Sequence, residues 1–288
     1  MQGNSFDENM IIKENRTLFL QTSKGFISYL ELENEVFKPI GYRISSYSEP
    51  VPVLKQMKKR TCQEVFDEWS IIARSHHPGK KIVEWIPEPL FNKFSMNGHA
   101  MIHTWYLHEE NSVERVWRRD EINKFIKQDP YSFLNYGQEG IAVHYATLRH
   151  KIRGNIGLVI GTIIPWVEVI CIRNGAKKMI TVDYNNITID HPQMEYRNAI
   201  NLAIQWKNCS EGFDFVIAFS SIEHSGLGRY GDPLDPMGDI REIRKIHCFL
   251  KKDGLLFLGL PIDYMDHLVF NAHRIYGPLR ASILFEGP

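Results

Sequence analysis

Glu223 and His224 are the most chemically capable neighbours in the chain. Histidine titrates near neutral pH and can take a proton from a substrate hydroxyl, with an adjacent carboxylate assisting. The pair sits in Phe213–Pro233, FDFVIAFSSIEHSGLGRYGDP, which begins as an apolar run. The run breaks into Ser220 and Ser221 and then a loop carrying Gly226, Gly228 and Gly231. In that loop Arg229, Tyr230 and Asp232 are substrate-binding candidates, because an arginine fork clamps phosphate or carboxylate. The competing reading pairs Arg229 with Asp232 to stiffen the loop. Open α/β sheets present ligand sites in this way, at the carboxyl ends of strands.

Such a site needs a sheet behind it. Ile156–Ile160 is an apolar run ending at Gly161, Trp166–Ile172 has helical spacing after Pro165, and Lys178–Val182 is a strand ending at Asp183. Strand, helix and strand over this length make a βαβ unit of a parallel sheet. The turn at Gly161 and Thr162 feeds a helix whose first N–H groups suit an anion. Asp183 lies at the strand end, where it is either a ribose acceptor or a cap for the next segment. Met194–Trp206 is ambiguous. A helix is expected over Gly238–Leu250 with Asp239 as N-cap, then a turn at Lys252–Gly254 and a strand over Leu255–Leu260. Beyond it a helical stretch through Ile275–Tyr276 leaves room for at most one more short strand.

The amino-terminal half is less regular. Thr17–Tyr29 supplies a strand or two, and a helix running from Leu54 to His76 carries a capping box at Thr61–Glu64. Lys81–Trp85 reads as a short strand, Phe94–Leu107 as strand or irregular, Asp120–Lys127 as helix and Asp129–Gly140 as loop. The expected division is an extension of unclear fold over 1–93, a lead-in segment over 94–151 and an α/β domain over 152–288.

Composition narrows the function classes. The 288 residues are 43% hydrophobic and 24% charged with zero formal net charge. A neutral balance provides no basic field for nucleic acid. No signal peptide or membrane-length apolar run is visible, so the expected location is cytoplasmic, without membrane contact. Cys62, Cys171, Cys209 and Cys248 stand far apart with no CxxC pair, which implies neither a zinc ribbon nor a disulfide framework. Sequons at Asn15, Asn186 and Asn208 carry little weight without a signal. His99, His103 and His108 have no carboxylate partner in sequence and read as packing rather than metal ligands. GxSxG, P-loop and GxGxxG motifs are absent, which leaves hydrolase, kinase and nicotinamide-dinucleotide readings without support.

The order of elements from 152 onward resembles a class I S-adenosylmethionine-dependent methyltransferase, with Gly161, Asp183 and Glu223–His224 at the matching positions. The wording GTIIPWVEVICIRNGA, TVDYN and FSSIEHSGLGRYGDPLDP, with FSMNG from Phe94 and NYG from Asn135, resembles the methyltransferase-like domain-of-unknown-function family 268. The resemblance implies a doubly wound, mainly parallel, Rossmann-like sheet, which can lack its terminal strand pair. It also implies S-adenosylmethionine held by Gly161, Thr162, Asp183, Ser220 and Ser221. Glu223 and His224 would face a hydroxyl or carboxylate of a small-molecule or sugar acceptor. The first loop departs from the glycine-rich pattern, with Ile163 and Pro165 where glycines are usual. That departure supports an alternative, a non-catalytic binding module that keeps the sheet.

Overall fold

Apolar residues at consecutive positions of a strand serve both faces of a sheet, and Ile156–Ile160, Lys178–Asp183 and Phe213–Phe219 are built this way. The computed structural model describes residues 18–46, 51–75, 83–107, 115–132, 136–206 and 212–286. Its centre is a parallel five-stranded sheet of β1 (Ile156–Ile160), β2 (Lys178–Asp183), β3 (Met194–Asn198), β4 (Phe213–Phe219) and β5 (Leu250–Gly259). The spatial order is β3-β2-β1-β4-β5. This is an α/β architecture compatible with a Rossmann-like fold. Order reverses between β1 and β4, where such sheets open a crevice at their carboxyl edge.

The two faces have different covers. Leu158, Val216 and Ala218 point into one core with Ile240, Ile243 and Ile246 of α3 (Gly238–Phe249), after α1 (Trp166–Arg173) and α2 (Ala199–Ile204) in chain order. Tyr29, Phe37, Phe66 and Trp69 belong to that core, with Phe66 packed on Trp206 and Phe249, so amino-terminal elements cover the helical layer of this face. Val159, Phe215 and Ile217 point the other way, onto Val167 and Ile170 of α1, Ile122 and Val143. Phe215 is fully buried, and a side chain of that size contributes about 1.5–3 kcal/mol by leaving water.

Several local expectations hold. Phe19–Thr22 and Gly25–Ser28 form a hairpin, and the helix Cys62–Ser75 begins at the expected box, with Thr61 and Glu64 exchanging bonds. That helix does not begin at Leu54: Val53–Gln56 is a strand paired with Tyr42–Ser46. The ambiguous 194–206 stretch resolves into β3 followed by α2, whose N-cap Asn198 accepts from Ile200 and Asn201. The helix Gly137–Arg149 runs through residues expected to be loop, because its Gly-rich start hides the periodicity. Residues 83–87 form no strand, and the part of that expectation at 81–82 lies outside the described residues.

Three corrections concern the carboxyl-terminal part. Residues 263–276 are not helical: β6 (His267–Phe270) and β7 (His273–Ile275) form an antiparallel pair. The pair does not extend the main sheet but joins the strand Met101–Thr104 in a separate three-stranded one. A last helix, α4 (Pro278–Leu284), comes after it. Asp239 is not the N-cap of α3, a place held by Met237. Its fully buried carboxylate instead receives Arg280 Nε at 2.9 Å and the Tyr276 hydroxyl at 3.1 Å. Finally, Cys62 and Cys248 form a disulfide, with Cα atoms 5.6 Å apart, tying the helix Cys62–Ser75 to α3. Their sequence separation of 186 residues hid the pairing. No helix among the described residues is long and apolar enough to cross a membrane.

Candidate functional site at the strand carboxyl ends

A strand that must turn sharply into a helix needs a residue tolerant of left-handed backbone, and Gly161 at the end of β1 has φ of +64°. Its amide donates to the Val182 carbonyl at 2.8 Å, which holds the β1 and β2 ends side by side. A Cβ at Gly161 would come within 3.2 Å of the Ser221 Cβ. Gly161→Ala is therefore expected to lower stability by about 1–2 kcal/mol, chiefly through the left-handed conformation. An unchanged urea midpoint would show that the turn relaxes without cost.

Around this turn lies a cavity of about 150 Å³. Gly161, Thr162, Asp183, Ser220, Ser221, His224, Tyr230 and Asp232 all border it. The structure thus brings together residues 161 to 232 from the ends of β1, β2 and β4. Glu223 and Arg229 stand outside the lining. Trp166, Leu202 and Phe249 provide an apolar wall. Ile163 is more than half exposed at the rim, and Pro165 does not line the cavity, so its missing donor removes no contact there.

Asp183 is held from two sides. Its Oδ1 accepts from the Asn185 amide at 2.8 Å, and its Oδ2 from Arg115 Nη1 at 3.1 Å. The same Arg115 nitrogen donates to the Thr162 carbonyl at 3.1 Å, so one guanidinium spans the glycine turn and the acidic strand end. Burial pushes the Asp183 carboxyl above its ordinary range, against the opposing pull of Asn185 and Arg115. Arg115 was not singled out by its sequence, since it enters from the short strand Arg115–Trp117, which pairs with Ile187–Ile189.

His224 follows β4 in a single 3-10 turn, Ile222–His224. Its Nδ1 donates to the Ala272 carbonyl at 2.6 Å, which in the neutral ring makes Nε2 the basic nitrogen. The Tyr230 and His273 rings stand edge-on at 5.3 and 6.3 Å. Glu223 Oε1 lies 3.8 Å from His224 Nε2, with its carboxyl almost wholly buried and Oε2 without a hydrogen-bond partner among the described residues. Burial pushes Glu223 up to about 7, against backbone N–H groups and the Ser220 hydroxyl. Ser221 Oγ is also buried without such a partner. Ser220 itself has φ of +46°, a conformation that non-glycine residues avoid and that recurs at functional sites.

The glycine loop is organised from within. Asp232 Oδ2 accepts from the amides of Gly226 at 2.6 Å and Gly228 at 3.2 Å. A Cβ on Gly226 would meet the Asp235 carbonyl oxygen at 2.1 Å, so only glycine lets the loop lie this close to its own return. Arg229 stands in this loop. Its guanidinium sits 4.8 Å from the Tyr230 ring centre and its Nη1 reaches the Ala272 carbonyl at 3.5 Å.

Two further lining residues escaped the sequence reading. Lys245 Nζ pairs with Glu242 at 2.6 Å and stands 4.1 Å from the Trp69 ring centre. Burial pulls the Lys245 ammonium below its ordinary range, against the neighbouring Glu242. Their helical spacing of three on α3 was the available signal. The histidines near residue 100 are used elsewhere: His99 meets Glu35 at 2.8 Å and His103 stacks on His267, while His108 lies outside the described residues.

The comparison with curated proteins finds no match. The likeness seen in the wording from Phe94 to 153 lies outside the matched segment. Residues 154–288, which supply all of the main sheet and both loops of the cavity, match the family described as Caenorhabditis protein of unknown function, DUF268.

Proposed function

We propose that the protein is a methyltransferase of the class I type, using S-adenosylmethionine on a hydroxyl or carboxylate of a small molecule or sugar. The observation that carries this reading is the placement of Gly161 and Asp183 at adjacent strand ends on one cavity, beside the topological switch point. The bound cofactor would supply an already activated methyl group. The apolar wall of Trp166, Leu202 and Phe249 suits an adenine face, and the Asp183 carboxylate suits ribose hydroxyls. Gly161 and Thr162 would face the amino-acid end, with Ser220 and Ser221 as the floor.

The remaining work is positioning and proton removal. His224, with its proton fixed on Nδ1 by the Ala272 carbonyl, offers Nε2 to an acceptor hydroxyl. Glu223, whose Oε1 lies 3.8 Å from the same Nε2, would be the counter-charge to the protonated ring once ionised. Orientation of the acceptor supplies most of the rate, since the methyl donor needs little further activation. Arg229 and Tyr230 sit at the loop where an acceptor would enter.

Calorimetry tests the proposal. Saturable binding of S-adenosylmethionine and of its demethylated product is expected, with Asp183→Ala weakening both by about tenfold, or about 1.4 kcal/mol. Absence of heat with either ligand sinks it. A second reading, a non-catalytic module that keeps the sheet, draws on Arg115, which already occupies Asp183 and braces the Thr162 carbonyl. Under that reading Asp183→Ala lowers thermal stability, and neither cofactor form raises it.

A further inference from the structure

The Cys62–Cys248 bond and one exposed sequon bear on where this chain matures. Thiols in the cytosol are held reduced, whereas structural disulfides form and persist in oxidising compartments. The bond here joins two helices that pack on one core, the helix Cys62–Ser75 and α3. It is part of the fold rather than a surface accident. Cys171, by contrast, is a buried thiol.

Asn186-Ile187-Thr188 is a sequon with a non-proline middle residue. Asn186 and Thr188 are both exposed, while Ile187 is buried as the anchor of the strand Ile187–Ile189. Asn186 uses its carbonyl oxygen, which accepts from the Tyr196 hydroxyl at 3.3 Å, and this bond does not engage the amide nitrogen. The asparagine therefore stands at the surface just past β2, where a large substituent meets solvent rather than core. Asn15 and Asn208 lie outside the described residues.

We propose that the chain folds in an oxidising compartment of the secretory route and carries an N-linked glycan at Asn186. In the glycosylation step, Asn186 Nδ2 attacks the anomeric carbon of a lipid-diphosphate-linked oligosaccharide. The nitrogen–carbon bond forms, the carbon–oxygen bond to the lipid diphosphate breaks, and Nδ2 loses one proton. In the disulfide step, the Cys62 and Cys248 thiols exchange with a disulfide carrier of the thiol-oxidase class. Two protons and two electrons pass to that carrier, which leaves as a dithiol. The glycan stands three residues beyond Asp183, so it flanks the cavity without replacing any lining residue. The inference does not depend on the methyl-transfer reading and replaces the cytoplasmic expectation.

The test uses the endogenous protein, alkylated without reductant and digested. Treatment with peptide N-glycosidase in heavy-oxygen water converts a glycosylated asparagine to labelled aspartate. Labelled aspartate at 186 is expected, together with a Cys62–Cys248 linked peptide. Recovery of Asn186 wholly unlabelled overturns the glycan, and alkylation of both Cys62 and Cys248 overturns the compartment. In full chain expressed by animal cells, Asn186→Gln and Thr188→Ala should each remove one endoglycosidase-sensitive mobility step, and Thr188→Ser should keep it. The same mobility pattern in wild type and Asn186→Gln overturns the site even where the variant folds normally.

Discussion

Asp239→Asn is expected to cost about 3–5 kcal/mol of stability, the loss seen when one partner of a buried ion pair is removed. For a chain of this size that lowers Tm by roughly 5–8 °C. Asparagine keeps the shape, so cavity formation does not explain the loss. The charge does. Asp239, Arg274 and Arg280 are all buried, and the carboxylate is the common partner of both guanidinium groups. Burial raises the Asp239 carboxyl, yet the two arginines and the Arg280 hydrogen bonds outweigh it and hold it below the ordinary range. Because the folded value is depressed, the contribution is complete above the unfolded value and is lost as pH falls through the folded one.

The same cluster positions the site. Arg274 donates to the carbonyls of Glu223 at 3.4 Å and Ser225 at 2.6 Å, the residues flanking His224, and to those of Asp235 and Pro236. Loosening it should therefore free the loop that carries the basic nitrogen. Replacing Asp239, Arg274 and Arg280 together by apolar residues of similar volume strands no charge, but it removes the partners of four backbone carbonyls and of the Tyr276 hydroxyl, so it should not restore wild-type stability. Chemical denaturation checks both outcomes. A loss under about 1 kcal/mol for Asp239→Asn would show that water or relaxation compensates the arginines.

Glu168→Gln and Glu223→Gln are expected to change how stability depends on pH. Burial pushes each carboxyl from 4.5 up to about 7. Glu168, in the first turn of α1, accepts one bond from the Thr181 hydroxyl at 2.7 Å while its other oxygen has no partner among the described residues. Between the unfolded and folded values the native state holds more protons than the unfolded chain, so stability falls as pH rises. The fall begins near 4.5 and is complete above about 7. A shift of this size corresponds to about 3 kcal/mol per group. Glutamine is neutral throughout, so each substitution should flatten its share of the slope and stabilise the protein on the alkaline side. Urea titrations across that window decide the matter. Parallel pH profiles for wild type and both variants would mean that the carboxyls ionise without penalty in the fold.

Much of the sheet was legible because its cues are local. Ile156–Ile160, Lys178–Asp183 and Phe213–Phe219 announce themselves as apolar runs, and Gly161, Asp183 and Ser220 mark where each one ends. Steric rules for turns and caps act within a few residues, so Thr61–Glu64 and the Pro165–Trp166 helix start could be read directly. The cavity was legible to the same extent: most residues flagged at strand ends do line it.

Features that depended on distant partners were not legible. Glu223 looked like a cleft residue, but neighbouring positions in a tight turn point apart, and only His224 reaches the lining. Arg115 meets Asp183 across 68 residues, and His224 meets Ala272 across 48. The terminal hairpin pairs with Met101–Thr104 rather than with β5, which no periodicity encodes. By itself the sequence determined β1, β2 and β4, their order along the chain and the polar residues at their ends, because backbone sterics and hydrophobic period are short-range. Only the tertiary structure decided which charges share a partner, which cysteines bond and which carboxyls lose water. Those outcomes depend on burial and on distances between segments that meet only when the chain is folded.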